Sequence, residues 1–507
     1  MLAKVKTCAI VGLSGVLVEV EVDIASRGLP SFNIVGFSGK AVEEARERVK
    51  TALVNSGFAF PLKKITVNLA PSDILKEGGS YDLPIAIGIL KACGEIDETE
   101  NNELFYGELS LDGKVRHTKG VLLVSIFAKE CGYINEIYVP KDSSKEGAIV
   151  EDTTVFPVSN IQELVNHLRG SKKILPQGVI NIDTDLNRGK FEFDFCEVIG
   201  QEQAKRALTI AAAGGHNIML SGPPGSGKTM LARALPSILP MLSAREVLEV
   251  TKVYSVAGLL SPGESYIKNR SFRAPHHSMS LVGLIGGGSH PVPGEVSLSH
   301  LGVLFLDEMA EFPRSVLESM RQPMEDGKVV ISRALGRVEY PANFTLVAAV
   351  NPCPCGYNGH PRKVCSCTPT QIIRYKKRIS GPIMDRIDIH VHVPFVEPSL
   401  LDNTAAQVRS EQILEEVKSA RKLQYERLMH WENMYTNSQM RNKQVTTYCS
   451  LSPESVRLVR TAVEKYDLST RGYFRLLKVA RTIADLAHSS DILIAHLAEA
   501  LQYRIKG

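Results

Sequence analysis

Nowhere does the sequence contain an apolar run long enough to cross a membrane, and its first residues do not resemble a leader. A spanning helix needs ~18 or more uninterrupted apolar residues, and no stretch of the 507-residue chain reaches that length. Residues 1–12 are strand-like and lack an apolar run followed by a small-residue cleavage site. We therefore expect no signal peptide and no membrane partner, and the predicted location is the cytoplasm.

The chain also lacks a strong charge of either sign and an even set of cysteines. Its formal net charge of +4 neither requires nor excludes a nucleic-acid partner, so local clusters of basic residues must decide. Nine cysteines in a chain of this length do not indicate a disulfide framework. The hydrophobic content of 44% is typical of a globular protein, and the length fits about three domains.

Hydrophobic patterning divides the chain into an α/β domain, a linker, a second α/β domain and a helical C-terminal domain. In the first, Val16–Val22 alternates like a half-buried strand and Lys40–Asn55 has helical spacing. Further strands are predicted at Ile65–Leu69, Leu104–Tyr106 and Ile137–Val139, and further helices at Leu83–Ala92, Gly120–Cys131 and Ile161–Leu168. The predicted bounds of the four parts are 1–170, 171–190, 191–395 and 396–507.

A glycine-rich loop stands between a short apolar strand and a helical run near the middle of the chain. It reads Gly222-Pro223-Pro224-Gly225-Ser226-Gly227-Lys228-Thr229. This is the pattern of a P-loop in its required strand–loop–helix context, where glycines let backbone N–H groups curl around phosphate oxygens. The loop predicts an ATP site in which Lys228 reaches the β- and γ-phosphates and Thr229 ligates Mg²⁺.

Two further strand ends carry polar groups in the order that ATP hydrolysis needs. The apolar strand Val303–Leu306 ends in Asp307 and Glu308. We expect Asp307 to hold Mg²⁺, directly or through water, and Glu308 to act as general base toward the attacking water. A third strand, Phe344–Val350, ends at Asn351, which can orient that water against the γ-phosphate.

These motifs, together with Phe272–Ser278 and Asn351–Gly356, resemble those of the magnesium-chelatase-like AAA+ ATPases, and within them the YifB/ComM group. The resemblance covers the whole chain. It implies an α/β fold with an AAA+ P-loop core around a parallel sheet, an N-terminal Lon-protease-like α/β domain and a C-terminal helical lid. It also implies a ring, usually a homo-hexamer, with ATP sites between subunits.

The same resemblance gives roles to several residues outside the three motifs. Arg386 lies in a segment that matches the source of an arginine finger, which would reach the γ-phosphate of the neighbouring subunit. Arg471 is the better candidate for the sensor 2 residue of the lid, and Arg475 is the weaker one. Val198 and Ile199 lie where such ATPases pack the adenine, although they fit a hydrophobic core equally well.

Two segments between the nucleotide motifs are not needed for ATP chemistry. Residues 267–292 carry basic side chains and a glycine-rich tip, and residues 329–340 have the pattern of a β-hairpin. They match the helix-2 insert and pre-sensor hairpin of chelatases and MCM helicases, where these elements project into the pore. Arg333 and Arg337 would then contact DNA phosphates without reading the sequence. Alternatively, both segments brace the fold or bind a protein partner.

Four cysteines crowd into a short segment after Asn351. They are Cys353, Cys355, Cys365 and Cys367. Four thiolates can close a tetrahedral structural zinc site, although the C-x-C spacing is tighter than the usual C-x₂-C. Zn²⁺ is therefore a candidate cofactor in addition to ATP and Mg²⁺, and a reduced, metal-free loop is the alternative. The adjacent His276 and His277 are interpreted as structural rather than as metal ligands.

The N-terminal domain carries the remnant of a protease site. Lys76–Ser80 resembles the Lon segment whose serine is the nucleophile, and such a serine needs a neutral lysine beside it to accept its proton. Aligned on Gly113, that lysine position falls on Val124, which cannot be a base. The domain is interpreted as a catalytically inactive structural or DNA-binding collar.

Together these features predict an ATP-driven ring motor that acts on single-stranded or branched DNA without sequence preference. On resemblance alone, the expected role is that of a branch-migration helicase, which promotes recombination of incoming DNA in natural transformation. A magnesium-chelatase-type subunit and an ATP-dependent protein remodeller are the alternatives. An ATP-dependent protease is disfavoured by Val124.

Overall fold

The computed structural model describes residues 2–36, 39–76, 78–97, 102–182, 191–288, 291–333, 336–396, 408–431 and 434–504. The strands are β1 (Leu2–Val11), β2 (Ser14–Ile24), β3 (Ser31–Val35), β4 (Lys64–Ala70), β5 (Glu103–Phe105), β6 (Glu108–Leu109), β7 (Val115–Arg116), β8 (Glu136–Pro140), β9 (Thr154–Val158), β10 (Ile218–Ser221), β11 (Phe272–Arg273), β12 (Gly286–Gly287), β13 (Val292–Pro293), β14 (Val303–Leu306), β15 (Lys328–Arg333), β16 (Gly336–Pro341), β17 (Thr345–Val350) and β18 (Ile389–His392).

The helices are α1 (Lys40–Asn55), α2 (Asp82–Ala92), α3 (Val121–Cys131), α4 (Ser144–Gly147), α5 (Ile161–Leu168), α6 (Glu202–Gly214), α7 (Lys228–Ala234), α8 (Ala244–Ala257), α9 (Leu281–Ile285), α10 (Glu295–Leu298), α11 (Arg314–Ser319), α12 (Arg321–Asp326), α13 (Pro369–Lys376), α14 (Gly381–Met384), α15 (Ser410–Leu428), α16 (Asn442–Tyr448), α17 (Pro453–Tyr466), α18 (Thr470–Leu486) and α19 (Ile494–Gln502). Short 3-10 helices lie at Lys141–Ser143, Phe195–Glu197, Leu235–Ile238, Met309–Glu311 and Asn437–Gln439. Among the described residues, no helix has both the length and the apolar character that a membrane crossing requires.

Two sheets organise the N-terminal α/β unit. The first has the order β1-β2-β4-β3, in which β3 and β4 pair in parallel and the other pairs are antiparallel. The second is parallel, with the order β5-β8-β9. Helix α2 is apolar on nearly every side, so it is buried along its whole length and packs on β1 and β2. The unit contains two apolar clusters, a large one around α2 and a smaller one between α3 and the second sheet.

Five parallel strands in the order β11-β14-β17-β10-β18 form the central sheet. Strands β14 and β17 are buried at every residue, which explains why they read as continuous apolar runs rather than as alternating ones. The carboxyl ends of β10, β14 and β17 lie side by side at one edge of the sheet. This edge is where open α/β sheets bind ligands, and the three nucleotide motifs begin there.

The C-terminal helices complete the core of the ATPase part. Helices α15 and α18 pack on α6, and their apolar residues share one hydrophobic cluster with those of the central sheet. The predicted fold class is confirmed by this arrangement of a P-loop α/β core, a parallel sheet and a helical C-terminal region.

The N-terminal unit and the ATPase part share a hydrophobic contact between α3 and α8. Leu122 of α3 lies in the same apolar cluster as Val250 of α8. Within this contact the buried Glu146 accepts hydrogen bonds from the Leu122 N–H, at 2.9 Å, and from the Ser255 hydroxyl. Burial raises the pKa of the Glu146 carboxyl to about 7.

A second contact joins the turn between β1 and β2 to strand β16. Gly12 has a φ of 63°, and a Cβ atom there would lie 2.6 Å from Cγ1 of Val338. Leu13 packs against the apolar cluster that contains Val338. Both the left-handed backbone and the lack of space require glycine at this position.

The polar stretch predicted as a linker is partly packed against the N-terminal unit. Ile174 is buried in the core of that unit. The Gln177 N–H donates to the Val155 carbonyl at 2.8 Å, and the Ile180 N–H donates to the Ala148 carbonyl at 3.0 Å. Residues 174–180 are therefore a strap held by backbone hydrogen bonds, and residues 183–190 of the predicted linker lie outside the described residues.

Candidate active site

The glycine-rich loop leaves β10 and faces open space. Gly225 and Gly227 have φ values of 76° and 89°, and no protein atom lies within 4 Å of where a Cβ would stand on either. Between them, the Ser226 hydroxyl oxygen is buried and has no hydrogen-bond partner. A left-handed, unobstructed backbone with an unsatisfied polar group fits a loop that wraps phosphate oxygens.

Lys228 points back into its own loop. Its buried Nζ donates to the carbonyl oxygens of Gly222 (2.7 Å) and Pro223 (2.8 Å), and it lies 3.3 Å from Oδ1 of Asn351. Burial lowers the pKa of Lys228, and the nearby carboxylates of Asp307 and Glu308 oppose that shift. The ammonium group is thus held at the mouth of the loop by weak carbonyl partners that phosphate oxygens can replace.

Thr229, which follows the loop after β10, contacts Asp307, which follows β14. The exposed Thr229 hydroxyl donates to Oδ2 of Asp307 at 3.0 Å. A hydroxyl and a carboxylate in contact at a P-loop form the pair of oxygen ligands that Mg²⁺ takes in P-loop ATPases. The residues present therefore fit ATP with Mg²⁺.

Glu308 follows in an uncommon backbone conformation. Its φ of 50° and ψ of 44° lie in the left-handed region, which costs a non-glycine residue on the order of 1 kcal/mol. Its N–H donates to Oδ1 of Asp307 at 3.0 Å, and its side chain is 52% exposed. The strained turn leaves the carboxylate in contact with solvent, as a base that must meet water requires.

His277 lies beside Glu308, a contact that the sequence does not reveal. Its Nδ1 is 3.9 Å from Oε2 of Glu308, and its ring packs on His276 with a centroid distance of 4.1 Å and edge-on to Phe312 at 6.5 Å. The interpretation of His277 as purely structural therefore misses a contact with the candidate base. No pattern in the sequence indicates this contact, because His277 lies four residues after β11, a two-residue strand that is defined by its pairing with β14.

The segment before α6 is fastened to the loop through Gln201. Its amide nitrogen donates to the carbonyl oxygens of Ser226 (3.2 Å) and Pro394 (2.7 Å). Val198 is buried in the large cluster beneath the C-terminal helices, whereas Ile199 is half-buried. Val198 thus belongs to the core, which was the alternative reading of this pair.

Arg386 lies at the opposite edge of the sheet from the loop of its own subunit. Its carbonyl accepts a hydrogen bond from the Asn217 side chain at 3.1 Å, and Asn217 precedes the four-residue strand β10 that leads to the loop. That length of strand spans roughly 13 Å. The backbone of Arg386 therefore lies about one strand length from the glycine-rich loop of the same chain.

The carboxylate of Glu325 contacts both Arg386 and Arg471, the two arginines to which the family resemblance assigns roles. Arg386 is bonded to Glu325 and to the Pro382 carbonyl (2.8 Å), and the side chain of Arg386 is 8% exposed. Arg471 lies 3.6 Å from the other oxygen of Glu325 and is 62% exposed. The hydrogen bond from Arg386 is the main reason that the pKa of Glu325 is lowered.

Arg475 is engaged elsewhere. Its Nη1 lies 2.5 Å from Oδ1 of Asp388, a buried carboxylate whose other oxygen contacts His216 at 3.3 Å. Arg475 is therefore part of a buried network between the lid helix α18 and the sheet. Arg471, which is exposed, remains the better placed of the two for a nucleotide.

Two arginines of the 267–292 insert are bonded to other parts of the fold. Arg273 forms a bidentate pair with Glu295, with both N–O distances at 2.6 Å. Arg270 donates to three backbone carbonyls and to Glu246. For these two arginines the bracing alternative holds, because their guanidinium groups are occupied by the protein itself.

The predicted hairpin is confirmed. β15 and β16 pair antiparallel, with Ser332 opposite Arg337 and Arg333 opposite Gly336. The Arg337 side chain is exposed, whereas the side chain of Arg333 and the tip residues 334–335 lie outside the described part of the chain. Val329, Ile331, Val338 and Tyr340 root the hairpin in the apolar cluster that also contains Leu304 and Leu306 of β14.

In the segment that resembles the Lon site, the Ser80 hydroxyl contacts a phenol within the described residues. Ser80 is buried, and its hydroxyl hydrogen-bonds that of Tyr106, which also donates to the Lys119 carbonyl at 3.0 Å. Burial raises the pKa of Tyr106 well above its usual range, so the phenol stays protonated. Val124, at the expected lysine position, is fully buried and can accept no proton.

Comparison with protein families gives three matches along the chain. Residues 194–401 match the family described as "Magnesium chelatase, subunit ChlI". Residues 20–143 match "Subunit ChlI of Mg-chelatase", and residues 407–504 match "Magnesium chelatase, subunit ChlI C-terminal".

Individual relatives extend over the same length. The chain is 43% identical to the Competence protein ComM of Haemophilus influenzae and 41% identical to the uncharacterized protein YifB of Escherichia coli, over 99% of this chain and 97% of each relative. The Magnesium-chelatase 38 kDa subunit of Cereibacter sphaeroides is 26% identical over 32% of this chain and 54% of that subunit. The P-loop core of this chain and its full-length similarity to ComM and YifB show that the chain belongs to the YifB/ComM group of magnesium-chelatase-like AAA+ proteins.

Proposed function

We propose that this protein hydrolyses ATP in a ring of identical subunits and uses the energy to move along DNA. The proposal depends first on the convergence of Lys228, Thr229, Asp307 and Asn351 at the ends of three neighbouring strands, where Lys228 lies 3.3 Å from Asn351 and Thr229 lies 3.0 Å from Asp307.

Each of these residues has a task in hydrolysis. Bound ATP with Mg²⁺ supplies the γ-phosphoryl group that is transferred to water. Lys228 exchanges its loop carbonyls for the β- and γ-phosphate oxygens, and Thr229 with Asp307 provides the oxygen ligands. Asn351 orients the attacking water, and Glu308 accepts its proton.

In the proposed ring, Arg386 and Arg471 act between subunits. In a head-to-tail ring, one face of each subunit meets a different face of the next. Arg386 and Arg471 lie together at Glu325, at the sheet edge opposite their own loop. We propose that this face meets the neighbour's nucleotide, where both arginines leave Glu325 for the γ-phosphate, and that the ring is a hexamer.

The hairpin β15–β16 connects the motor to DNA in this proposal. Its strands are rooted against β14, which ends in Asp307 and Glu308, so a displacement of that strand is passed to the hairpin. The exposed Arg337 offers a phosphate contact that carries no sequence information. The likeness to the relative named Competence protein ComM supports a role in competence. We propose that this role is branch migration by a helicase during the recombination of incoming DNA in natural transformation.

A magnesium-chelatase-type subunit is the second candidate function. The observation in its favour is the likeness to the Magnesium-chelatase 38 kDa subunit, which covers 32% of this chain. An ATP-dependent protein remodeller would use the same motor on another substrate. The three functions differ in which partner accelerates ATP hydrolysis.

The deciding experiment measures ATPase activity with branched DNA, single-stranded DNA, or a porphyrin and chelatase partner subunits. We expect stimulation by DNA alone. Arg337→Ala should reduce the slope of the logarithm of the DNA-binding constant against the logarithm of salt concentration, by the amount expected for about one phosphate contact. Basal ATP hydrolysis should stay intact. Lys328→Ala is the matched control, because Lys328 is on the same hairpin but forms a 3.0 Å ion pair with Glu339. Hydrolysis that ignores DNA would refute the proposal.

A further inference from the structure

The four-cysteine segment after Asn351 lacks the usual means of keeping a fixed shape. Residues 352–368 contain no helix or strand, and only Cys353 and Gly356 are buried in it. Val364, in its middle, is 93% exposed. Ordering a backbone costs roughly 1–2 kcal/mol per residue, and this segment buries too little apolar surface to offset that cost. Something other than packing must hold it.

The sulfur atoms of this segment converge with the spacing of a tetrathiolate metal site. Sγ of Cys353 lies 3.4 Å from that of Cys355 and 3.7 Å from that of Cys365, and Cys355 and Cys365 are 3.6 Å apart. All four, including Cys367, lie within 4.8 Å of one another. Sulfurs ~2.3 Å from a tetrahedral zinc ion stand about 3.8 Å apart, whereas a disulfide needs ~2.05 Å.

Backbone amides and cations surround these sulfurs. The Asn358 N–H donates to Sγ of Cys353 at 3.3 Å, and the N–H groups of Tyr357 and Ser366 point to Sγ of Cys355. Such donors stabilise the charge of thiolate ligands. The exposed Arg362 and Lys363 and the basic last turn of α13 supply positive charge around the segment.

We propose that the cysteine knuckle, defined as residues 353–367, binds one Zn²⁺ through Cys353, Cys355, Cys365 and Cys367. Four Zn–S bonds form, and each thiol that is protonated releases its proton to solvent, so no oxidant or reductant is needed. Four thiolates fill the coordination sphere and leave no position for water, which makes the site structural rather than catalytic.

The position of the knuckle indicates what the zinc holds in place. A Cβ on Gly356 would lie 2.7 Å from Cδ of Pro224, so the knuckle touches the glycine-rich loop. On its other side, the His360 ring packs against Phe395 in a tilted arrangement, with a centroid distance of 5.0 Å, and Arg362 lies over the same ring. The knuckle thus fixes the chain that leaves Asn351 against the loop and against the segment after β18.

The test is a metal analysis of the full-length protein purified without chelator. We expect about one zinc per chain if one site closes. Replacement by Co²⁺ should give thiolate-to-metal charge transfer and the visible bands of a tetrahedral ion. The metal should also protect the four thiols from alkylation, and its removal should expose the knuckle to protease. These readouts involve neither ATP nor DNA, so they stand or fall apart from the proposed function.

Variants locate the site. Cys365→Ser should lose nearly all of the zinc, whereas Cys93→Ser, which alters an exposed cysteine outside the knuckle, should retain it. Should Cys365→Ser fail to fold, the cobalt spectrum of the unaltered chain decides. Metal-free protein whose four thiols alkylate freely, or disulfides within the knuckle found by mass spectrometry, would overturn the proposal.

Discussion

Lys228 and Glu308 have different surroundings, and their variants should therefore fail in different ways. Lys228 is buried among three oxygens, so Lys228→Ala removes the cation held for the phosphates and ATP binding should be lost. Glu308→Gln should bind ATP normally but turn over roughly 10²-fold or more slowly, because the base is missing. A fluorescent ATP analogue and steady-state phosphate release measure the two steps. Normal turnover by Glu308→Gln would disprove its role as base.

His277 gives a second prediction for a single residue. When protonated, its ring attracts the Glu308 carboxylate across 3.9 Å and competes with its action as a base. We expect His277→Ala to raise basal hydrolysis by up to about five-fold, the effect of one exposed ion pair, and to reduce further stimulation by DNA. His430→Ala, at an exposed histidine just after α15, is the control. An unchanged ratio of stimulated to basal rate would rule His277 out.

Among helices and strands, local pattern suffices where an element buries a regular face. Helices α1 and α5 begin and end at the residues that the periodicity predicts, and Asn160 caps α5 by accepting from the Glu163 N–H at 2.8 Å. Strand β11 has only two residues and no pattern of its own. It is a strand because β14 pairs with it, and such long-range pairing is invisible in a local window.

The same distinction, between local sequence pattern and long-range contact, applies to the residues of the candidate site. Lys228, Asp307 and Asn351 could be predicted because each follows an apolar strand, and parallel strands bring their carboxyl ends together. The burial of Arg386 on Glu325 and the approach of His277 to Glu308 depend on residues far apart in the chain. No spacing within one segment encodes those contacts.

The contact between α3 and α8 should respond to pH through Glu146. Burial raises its pKa from 4.5 to about 7. A carboxyl whose pKa rises on folding stabilises the folded state below the unfolded-state pKa, and that contribution is lost as the pH rises through the folded-state pKa. The loss amounts to roughly 3 kcal/mol between pH 4.5 and 7, and it levels off above that range.

Glu146→Gln tests this contribution, because the amide still accepts from Leu122 and Ser255 but cannot ionise. We expect the variant to unfold at a higher temperature than the unaltered protein at pH 8 and at a similar temperature at pH 5. Thermal unfolding at both pH values is the measurement. Glu151→Gln, at an exposed glutamate, should match the unaltered protein throughout. An equal difference for Glu146→Gln at both pH values would contradict the assignment.

For the whole molecule, the separation of Arg386 from its own loop predicts rescue between subunits. Arg386→Ala and Lys228→Ala should each be inactive, since an arginine finger supplies on the order of 10³–10⁵ in rate. Mixed in equal amounts, they should recover up to about a quarter of full activity, because that share of head-to-tail interfaces pairs two intact residues.

A mixture of Lys228→Ala with Glu308→Gln is the control for this rescue. Each subunit carries one of the two changes, and both changes lie in the site of the subunit that carries them. No site in a mixed ring therefore has both an intact loop and an intact base, so mixing should restore no activity. Phosphate release from the mixed rings is the readout. Full activity of Arg386→Ala alone in an assembled ring would show that another residue serves as the finger.

The close approach of Gly12 to Val338 has a mechanical consequence. A Cβ on Gly12 would stand 2.6 Å from a methyl group of Val338, so the middle of the hairpin already abuts the turn between β1 and β2. Because the hairpin is also rooted in the apolar cluster that contains β14, a displacement of the hairpin toward the turn would press Val338 against Gly12. In the proposed motor, the N-terminal unit would therefore limit the stroke of the hairpin on that side.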